Sequence, residues 1–169
     1  MRRDELFCNK IDEIRKALKL ELYNSALALA LTLPDICGKV AFPEDKSKPR
    51  YIKWFDKYVR CRFVSSCIKL PEEKLVEYQW ITSEECYALR CAVLHAGDYN
   101  AQNVKLSQIH FHAHKRNGEN YSHIIRNDQY IDVDVIDFCE KLCQTAEEYY
   151  NSMDDQSRFN LDEVRIDTW

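Results

Sequence analysis

The stretch DVIDFCEKLCQTAEEYYNSM, residues 134–153, decides the fold of this chain. Its apolar positions recur every three or four residues, at Ile136, Cys139, Leu142, Cys143, Ala146 and Tyr150. This spacing is typical of an α-helix with one apolar face. Because such a face needs another element to cover it, the stretch predicts a long helix that packs on the first helices of the chain.

The N-terminal part repeats the helical pattern with two interruptions. Residues 8–33 carry apolar side chains at helical spacing, which predicts a helix with a break near Tyr23. Pro34 does not fit deep inside a helix, so residues 35–38 are predicted to form a short turn closed by glycine. Two prolines and several charges in residues 41–49 predict an exposed loop.

The stretch KPRYIKWFDKYVRCRF, residues 48–63, predicts a second helix with two different faces. One face is apolar and consists of Ile52, Phe55 and Val59. The other face is basic and consists of Lys53, Lys57 and Arg60. A basic face is either a solvated helix surface or a surface that contacts RNA, and the spacing leaves both interpretations open.

The third predicted helix has clear signals at both ends. Thr82 and Glu85 stand three residues apart, as in a capping box, and Gly97 follows the last helical residue near His95. Alternating apolar and polar residues then predict a β-hairpin over about 104–133, before the last helix. The predicted fold is mainly α: a single helical-bundle domain over 1–153 with this hairpin inserted, and a C-terminal tail over 154–169.

Composition and charge exclude several classes of protein. With 169 residues and 46% hydrophobic content, the chain suits one domain with a sizeable core, and the 3 Gly and 4 Pro favour long regular elements. A net charge of −4 argues against a protein that coats nucleic acid through bulk positive charge. We expect no signal peptide, no membrane anchor, reduced cysteines and a cytoplasmic location.

Arg90 and His95 are the strongest candidates for chemistry. They form an Arg-x4-His motif in ITSEECYALRCAVLHAG, residues 81–97. An imidazole that titrates near neutrality can exchange a proton with a ribose 2′-hydroxyl, and a guanidinium can hold a phosphate through two hydrogen bonds. On a helix the two side chains point about 140° apart, so one copy does not aim both at a single point, whereas a two-fold dimer can.

This motif and the order of helices around it resemble the HEPN superfamily. The resemblance implies a HEPN-like helical bundle and a homodimer whose shared cleft is lined by Arg90 and His95 of both chains. It implies a metal-independent endoribonuclease that needs no cofactor. In such an enzyme we expect the basic face of Lys53, Lys57 and Arg60 to guide the RNA substrate. It also implies a toxin or defence setting with an antitoxin or another defence-system protein as partner.

Two other functions stay open at this point. Cys91 follows Arg90 where many active HEPN members have a polar residue, which favours a non-catalytic module for dimerisation or RNA binding. His110, His112 and His114 alternate along a predicted strand and would share one face, so they are an alternative metal site. Neighbours on that face stand about 7 Å apart, which makes ligation of one ion by all three unfavourable.

Overall fold

The computed structural model describes residues 5–69, 74–94, 109–113, 124–127 and 130–159. Over these ranges the chain is mainly helical, as the sequence predicts, and it also contains two small sheets. The helices are α1 (Glu5–Lys19), α2 (Tyr23–Ala30), α3 (Leu33–Ala41), α4 (Ser47–Trp54), α5 (Ser83–Leu94) and α6 (Val135–Asn151). None of these helices is long and apolar enough to cross a bilayer.

The first predicted helix is broken where the sequence indicates, but the segment after it is not a turn. α1 and α2 are separated by a bend in which Glu21 has a left-handed φ of 59°. Pro34 lies in the first turn of α3, where its missing N–H removes no hydrogen bond. The prediction of a short turn over 35–38 is therefore wrong, and Gly38 lies inside a helix.

The basic helix ends in a change of helical geometry. After α4, the chain forms one π-helical turn at Phe55–Val59 and one 3-10 turn at Arg60–Phe63. Phe55, Val59 and Phe63 are all fully buried, whereas the predicted basic face stays exposed. The wider turn thus keeps the apolar face of the helix in the core up to the start of the first strand.

The first sheet is a hairpin that the sequence analysis missed. β1 (Val64–Lys69) and β2 (Lys74–Gln79) pair antiparallel, with Ser65 opposite Tyr78. β1 reads VSSCIK and β2 reads KLVEYQ, and neither alternates apolar and polar residues over its whole length as a half-buried strand does.

The second sheet differs from the predicted hairpin in its pairing. Its central strand, β5 (Ile131–Asp134), pairs parallel with β3 (Ile109–His112) and antiparallel with β4 (Ile124–Arg126). The prediction of one antiparallel hairpin between 104–114 and 122–133 is therefore wrong. A hairpin does precede the last helix, but β4 and β5 form it, and alternation alone reveals the face of a strand rather than its partner.

The last helix lies at the centre of the core, as its pattern predicts. Asp134 caps α6, because its carboxylate accepts hydrogen bonds from the backbone N–H groups of Ile136 and Asp137 at 2.8 and 3.1 Å. α6 packs against α1, α2, α3 and the π-helical turn. The fully buried Phe138 connects the helices with the second sheet, because its ring contacts the ring of Phe63 and the ring of Phe111 on β3.

The core also includes the start of the predicted tail. A 3-10 turn at Gln156–Phe159 places the Phe159 ring, fully buried, 4.4 Å from that of Phe7 and 5.2 Å from that of Tyr150. Arg158 donates a hydrogen bond of 2.7 Å to the carbonyl of Val40. Packing therefore continues beyond residue 153, while residues 160–169 lie outside the described ranges.

Candidate functional site

The helix that carries Arg90 begins with the capping box that the sequence predicts. The Thr82 hydroxyl accepts a hydrogen bond of 3.1 Å from the Glu85 N–H, and the Glu85 carboxylate accepts one of 2.8 Å from the Thr82 N–H. Glu85 also pairs with Arg126 of β4 at 2.9 Å. One carboxylate thus fixes the start of α5 and ties it to the second sheet.

Arg90 lies near the end of α5 and points toward α3. Its Nη2 donates a hydrogen bond of 3.0 Å to Oδ2 of Asp35. The Arg90 side chain is 18% exposed and that of Asp35 is 15% exposed, so the pair is sheltered but remains open to solvent on one side. The arginine of the motif is therefore held in a defined direction by a carboxylate of another helix.

Asp35 also binds the start of α4. Arg50 donates a hydrogen bond of 3.0 Å from Nε to Oδ1 of Asp35, and its Nη2 forms an ion pair with the same oxygen at 2.9 Å. The Ser47 hydroxyl donates to the same oxygen at 3.2 Å. We call Asp35, Ser47, Arg50 and Arg90 the Asp35 cluster.

Gly38 makes this arrangement of α3 and α4 possible. A Cβ at position 38 would lie 2.8 Å from the carbonyl oxygen of Arg50 and 3.1 Å from its carbonyl carbon. Both atoms belong to the backbone, so any side chain here would push the two helices apart. The absence of a side chain at Gly38 thus lets the backbone of Arg50 come close to α3, one helical turn from Asp35.

Aromatic residues surround the inner side of the cluster. Tyr51 is fully buried on α4, its ring centroid is 5.3 Å from that of Tyr87 on α5, and burial raises its pKa well above the usual value. The described part of the chain provides no hydrogen-bond partner for the Tyr51 hydroxyl. Burial also raises the pKa of Tyr87. Interaction with Cys91 raises this pKa further, whereas interaction with Ser47 lowers it.

The second residue of the motif cannot be placed next to the first. His95 lies outside the described residues, which end α5 at Leu94. Cys91, the residue that departs from the HEPN pattern, is half-buried beside Tyr87. The geometry therefore characterises the arginine half of the motif and leaves the histidine half as a prediction.

The predicted RNA-guiding residues are exposed, and acidic residues lie beside two of them. Lys53 pairs with Asp45 at 2.6 Å, and Arg60 pairs with Glu77 of β2 at 3.4 Å. Lys57 lies over the ring of Tyr58, 5.0 Å from its centroid. Among the described residues, no hydrogen bond or ion pair joins these three side chains to the Asp35 cluster, and the acidic partners of Lys53 and Arg60 reduce the positive potential of this face.

Two of the three alternating histidines, His110 and His112, lie two positions apart on β3, and His112 has an acidic partner. Nδ1 of His112 lies 2.6 Å from Oδ1 of Asp132 on β5, and the ring of His110 lies 6.2 Å from that of Tyr130. His114 falls outside the described residues. In the described part of the chain, no group of three or more His, Cys, Asp or Glu side chains is arranged to hold a metal ion.

Sequence reasoning identified Arg90 but missed Asp35 and Arg50. Asp35 fell in a segment predicted as a short turn and Arg50 in the predicted second helix, and a charged residue is ordinary in both. Their meeting depends on how α3, α4 and α5 pack, and the sequence contains no local signal for that. Comparisons with protein-family models, with curated proteins and with solved structures find no match for this chain.

Proposed function

We propose that this chain is a metal-independent endoribonuclease of the HEPN type, which cleaves RNA at a site shared between two copies. The observation that carries the proposal is the position of Arg90, which is partly exposed on α5 and oriented by Asp35 at 3.0 Å. A partly exposed guanidinium that already binds an oxyanion is suited to hold a phosphate, because phosphate offers the same kind of acceptor oxygens. The Arg-x4-His motif supplies the remaining support.

In the proposed reaction, His95 exchanges the proton and Arg90 holds the scissile phosphate. The ribose 2′-oxygen forms a bond to phosphorus, and the bond from phosphorus to the 5′-oxygen breaks. The proton leaves the 2′-hydroxyl for the neutral His95 imidazole of one copy, and the departing 5′-oxygen takes up a proton from the protonated His95 of the other copy. The products are a 2′,3′-cyclic phosphate and a 5′-hydroxyl, and DNA resists because it lacks the 2′-hydroxyl.

The test compares purified wild-type protein with His95→Ala and Arg90→Ala on end-labelled RNA in EDTA. We expect cleavage with cyclic phosphate ends by wild type, loss of cleavage in both variants, and no cleavage of DNA of the same sequence. His110→Ala is a matched control, because it removes an exposed imidazole from β3. Cleavage that survives in His95→Ala, or that requires a divalent cation, would refute this mechanism.

The HEPN-type proposal includes a homodimer, a cytoplasmic location and a neutralising antitoxin or other defence-system partner. The resemblance supports all three, and the 140° separation predicted for an Arg-x4-His motif on a regular helix also favours the dimer. Sedimentation over a range of concentrations measures the oligomeric state. A strictly monomeric protein that still cleaves RNA would contradict the shared site.

A second candidate is a non-catalytic HEPN-like module for dimerisation or RNA binding. The ion pairs of Lys53 with Asp45 and of Arg60 with Glu77 favour it, because they reduce the positive field that would attract RNA. Cys91 after Arg90 favours it as well. This module predicts that wild-type protein cleaves no RNA in a panel of single-stranded and structured substrates, and that His95→Ala dimerises as wild type does.

A further inference from the structure

The Asp35 cluster differs from the other arginine clusters in its charge. Arg50 and Arg90 share one carboxylate, so these three side chains together carry a net charge of +1. Two other arginine clusters of the described chain have no excess positive charge. Arg15 binds both Glu140 and Glu147, which gives a net negative charge, and Arg62 binds Glu148, which gives a neutral pair. Two guanidiniums around a single oxyanion are the arrangement that proteins use for phosphate groups.

We propose that Arg50 and Arg90 form a two-arginine binding site for a phosphate group of RNA, and that Asp35 occupies this site when RNA is absent. This inference rests on the proposed function, because it names the second residue that holds the phosphate at the Arg90 site. Asp35 acts as an internal competitor whose two oxygens take the positions of phosphate oxygens. RNA binding then requires Asp35 to break its ion pair with Arg50, with Arg90 or with both.

The hydrogen bonds support this assignment. Arg50 directs both Nε and Nη2 to Oδ1 of Asp35, at 3.0 and 2.9 Å, while Arg90 reaches Oδ2 at 3.0 Å. Each oxygen of one small anion therefore has its own guanidinium. Because carboxylate and phosphate both accept paired N–H donors from arginine, the same two side chains can hold a phosphate without a new fold.

Access and neighbouring charge are consistent with a ligand. The Arg50 side chain is 21% exposed and that of Arg90 is 18% exposed, so both side chains reach the protein surface. Nζ of Lys48 lies 5.9 Å from the ring centroid of Tyr87, whose hydroxyl is hydrogen-bonded to Ser47 of the cluster. Lys48 is therefore a third cation close to the Asp35 cluster, where α4 and α5 meet.

The test measures binding separately from cleavage. The probe is a fluorescently labelled single-stranded DNA oligonucleotide in EDTA, because its phosphodiester backbone binds guanidinium but lacks the 2′-hydroxyl needed for cleavage. Anisotropy gives the Kd for wild type, Arg50→Gln, Arg50→Lys and Asp35→Asn. Arg62→Gln and Glu148→Gln are the matched controls, since they break an arginine–carboxylate pair elsewhere.

We expect Arg50→Gln to raise the Kd about tenfold. Arg50→Lys should raise it less, because lysine keeps the charge but lacks the paired N–H donors of a guanidinium. Asp35→Asn should lower the Kd several-fold, because it removes the competing carboxylate. A merely structural cluster predicts that Asp35→Asn weakens binding or leaves it unchanged. Circular dichroism and melting curves establish that each variant is folded at the assay temperature.

The outcomes separate this inference from the nuclease proposal. Tighter binding by Asp35→Asn and weaker binding by Arg50→Gln, without any RNA cleavage by wild type, support the phosphate site and refute the nuclease. RNA cleavage that is lost in His95→Ala, with Arg50→Gln binding the probe as Arg62→Gln does, leaves the nuclease standing and overturns the phosphate site.

Discussion

The Arg90 guanidinium on α5 donates a hydrogen bond of 3.0 Å to the carboxylate of Asp35 on α3, although the two residues are 55 positions apart in the chain. Through Arg50 the same carboxylate also holds the start of α4. Three helices therefore meet at one acidic side chain. Its removal should affect both the stability of the fold and the availability of two guanidiniums.

Asp35→Ala should lower the free energy of unfolding by about 2 kcal/mol. The substitution leaves two partly buried guanidiniums without the carboxylate that they share, and breaking such a pair costs more than breaking an exposed one. Urea unfolding at neutral pH measures the change. Glu148→Ala is the control: its side chain is 68% exposed, so the loss of its pair with Arg62 should cost about 0.5 kcal/mol or less.

Gly38→Ala should also destabilise the protein, by about 1–2 kcal/mol. The new Cβ would meet the backbone carbonyl of Arg50 at 2.8 Å, and the cost of separating α3 from α4 exceeds the helix propensity that alanine adds. Ser25→Ala, at an exposed position of α2, should change stability by no more than about 0.5 kcal/mol. An increase in melting temperature for Gly38→Ala would contradict the close approach.

Tyr51→Phe should leave the free energy of unfolding unchanged or raise it by up to about 1 kcal/mol. The Tyr51 hydroxyl is buried and has no hydrogen-bond partner in the described part of the chain, so its removal relieves an uncompensated desolvation cost. Thermal unfolding and urea unfolding both measure this. Tyr87→Phe provides the contrast, since that hydroxyl is hydrogen-bonded and its loss should cost about 1 kcal/mol. A clear loss of stability in Tyr51→Phe would show that the hydroxyl is bonded after all.

Glu85 should make the protein sensitive to acid. Burial alone would raise the pKa of Glu85, but hydrogen bonds from Arg126 and Thr82 lower it below its usual value of 4.5. A lowered folded-state pKa stabilises the protein above the unfolded pKa, and this contribution is lost as the pH falls through the folded pKa. The free energy of unfolding should therefore decline below about pH 4.5, and less steeply in Glu85→Gln. Glu44→Gln, in an exposed loop, controls for the loss of one negative charge.

Cysteine labelling should separate two classes of thiol in the native protein. Cys8 and Cys61 are exposed, whereas Cys37, Cys86, Cys139 and Cys143 are buried. Burial raises the pKa of Cys143 to about 12, and it raises that of Cys37 and Cys86 well above the usual value. Iodoacetamide at neutral pH should therefore modify the first class within minutes and the second only after unfolding, as mass spectrometry of peptides would show. Rapid modification of Cys143 in folded protein would contradict the packing of α6.

The elements that the sequence predicted correctly are those with local signals. α5 begins after Thr82, where the capping box with Glu85 marks the start, and α6 begins after Asp134 with its apolar stripe facing the core. The hairpin of β1 and β2 carried no such signal. The partners of β3 were also hidden, because alternation along one strand is the same for a parallel and an antiparallel neighbour.

The sequence by itself determined α5 with its capping box, the apolar face of α6 and the presence of Arg90 on α5, because hydrogen bonding and apolar periodicity act between residues three or four positions apart. Only the tertiary structure decided that Asp35 joins Arg90 to Arg50 and that Asp45 and Glu77 lie beside the basic face. Those contacts depend on how helices and strands pack. In particular, α3 and α4 lie close together because Gly38 has no side chain.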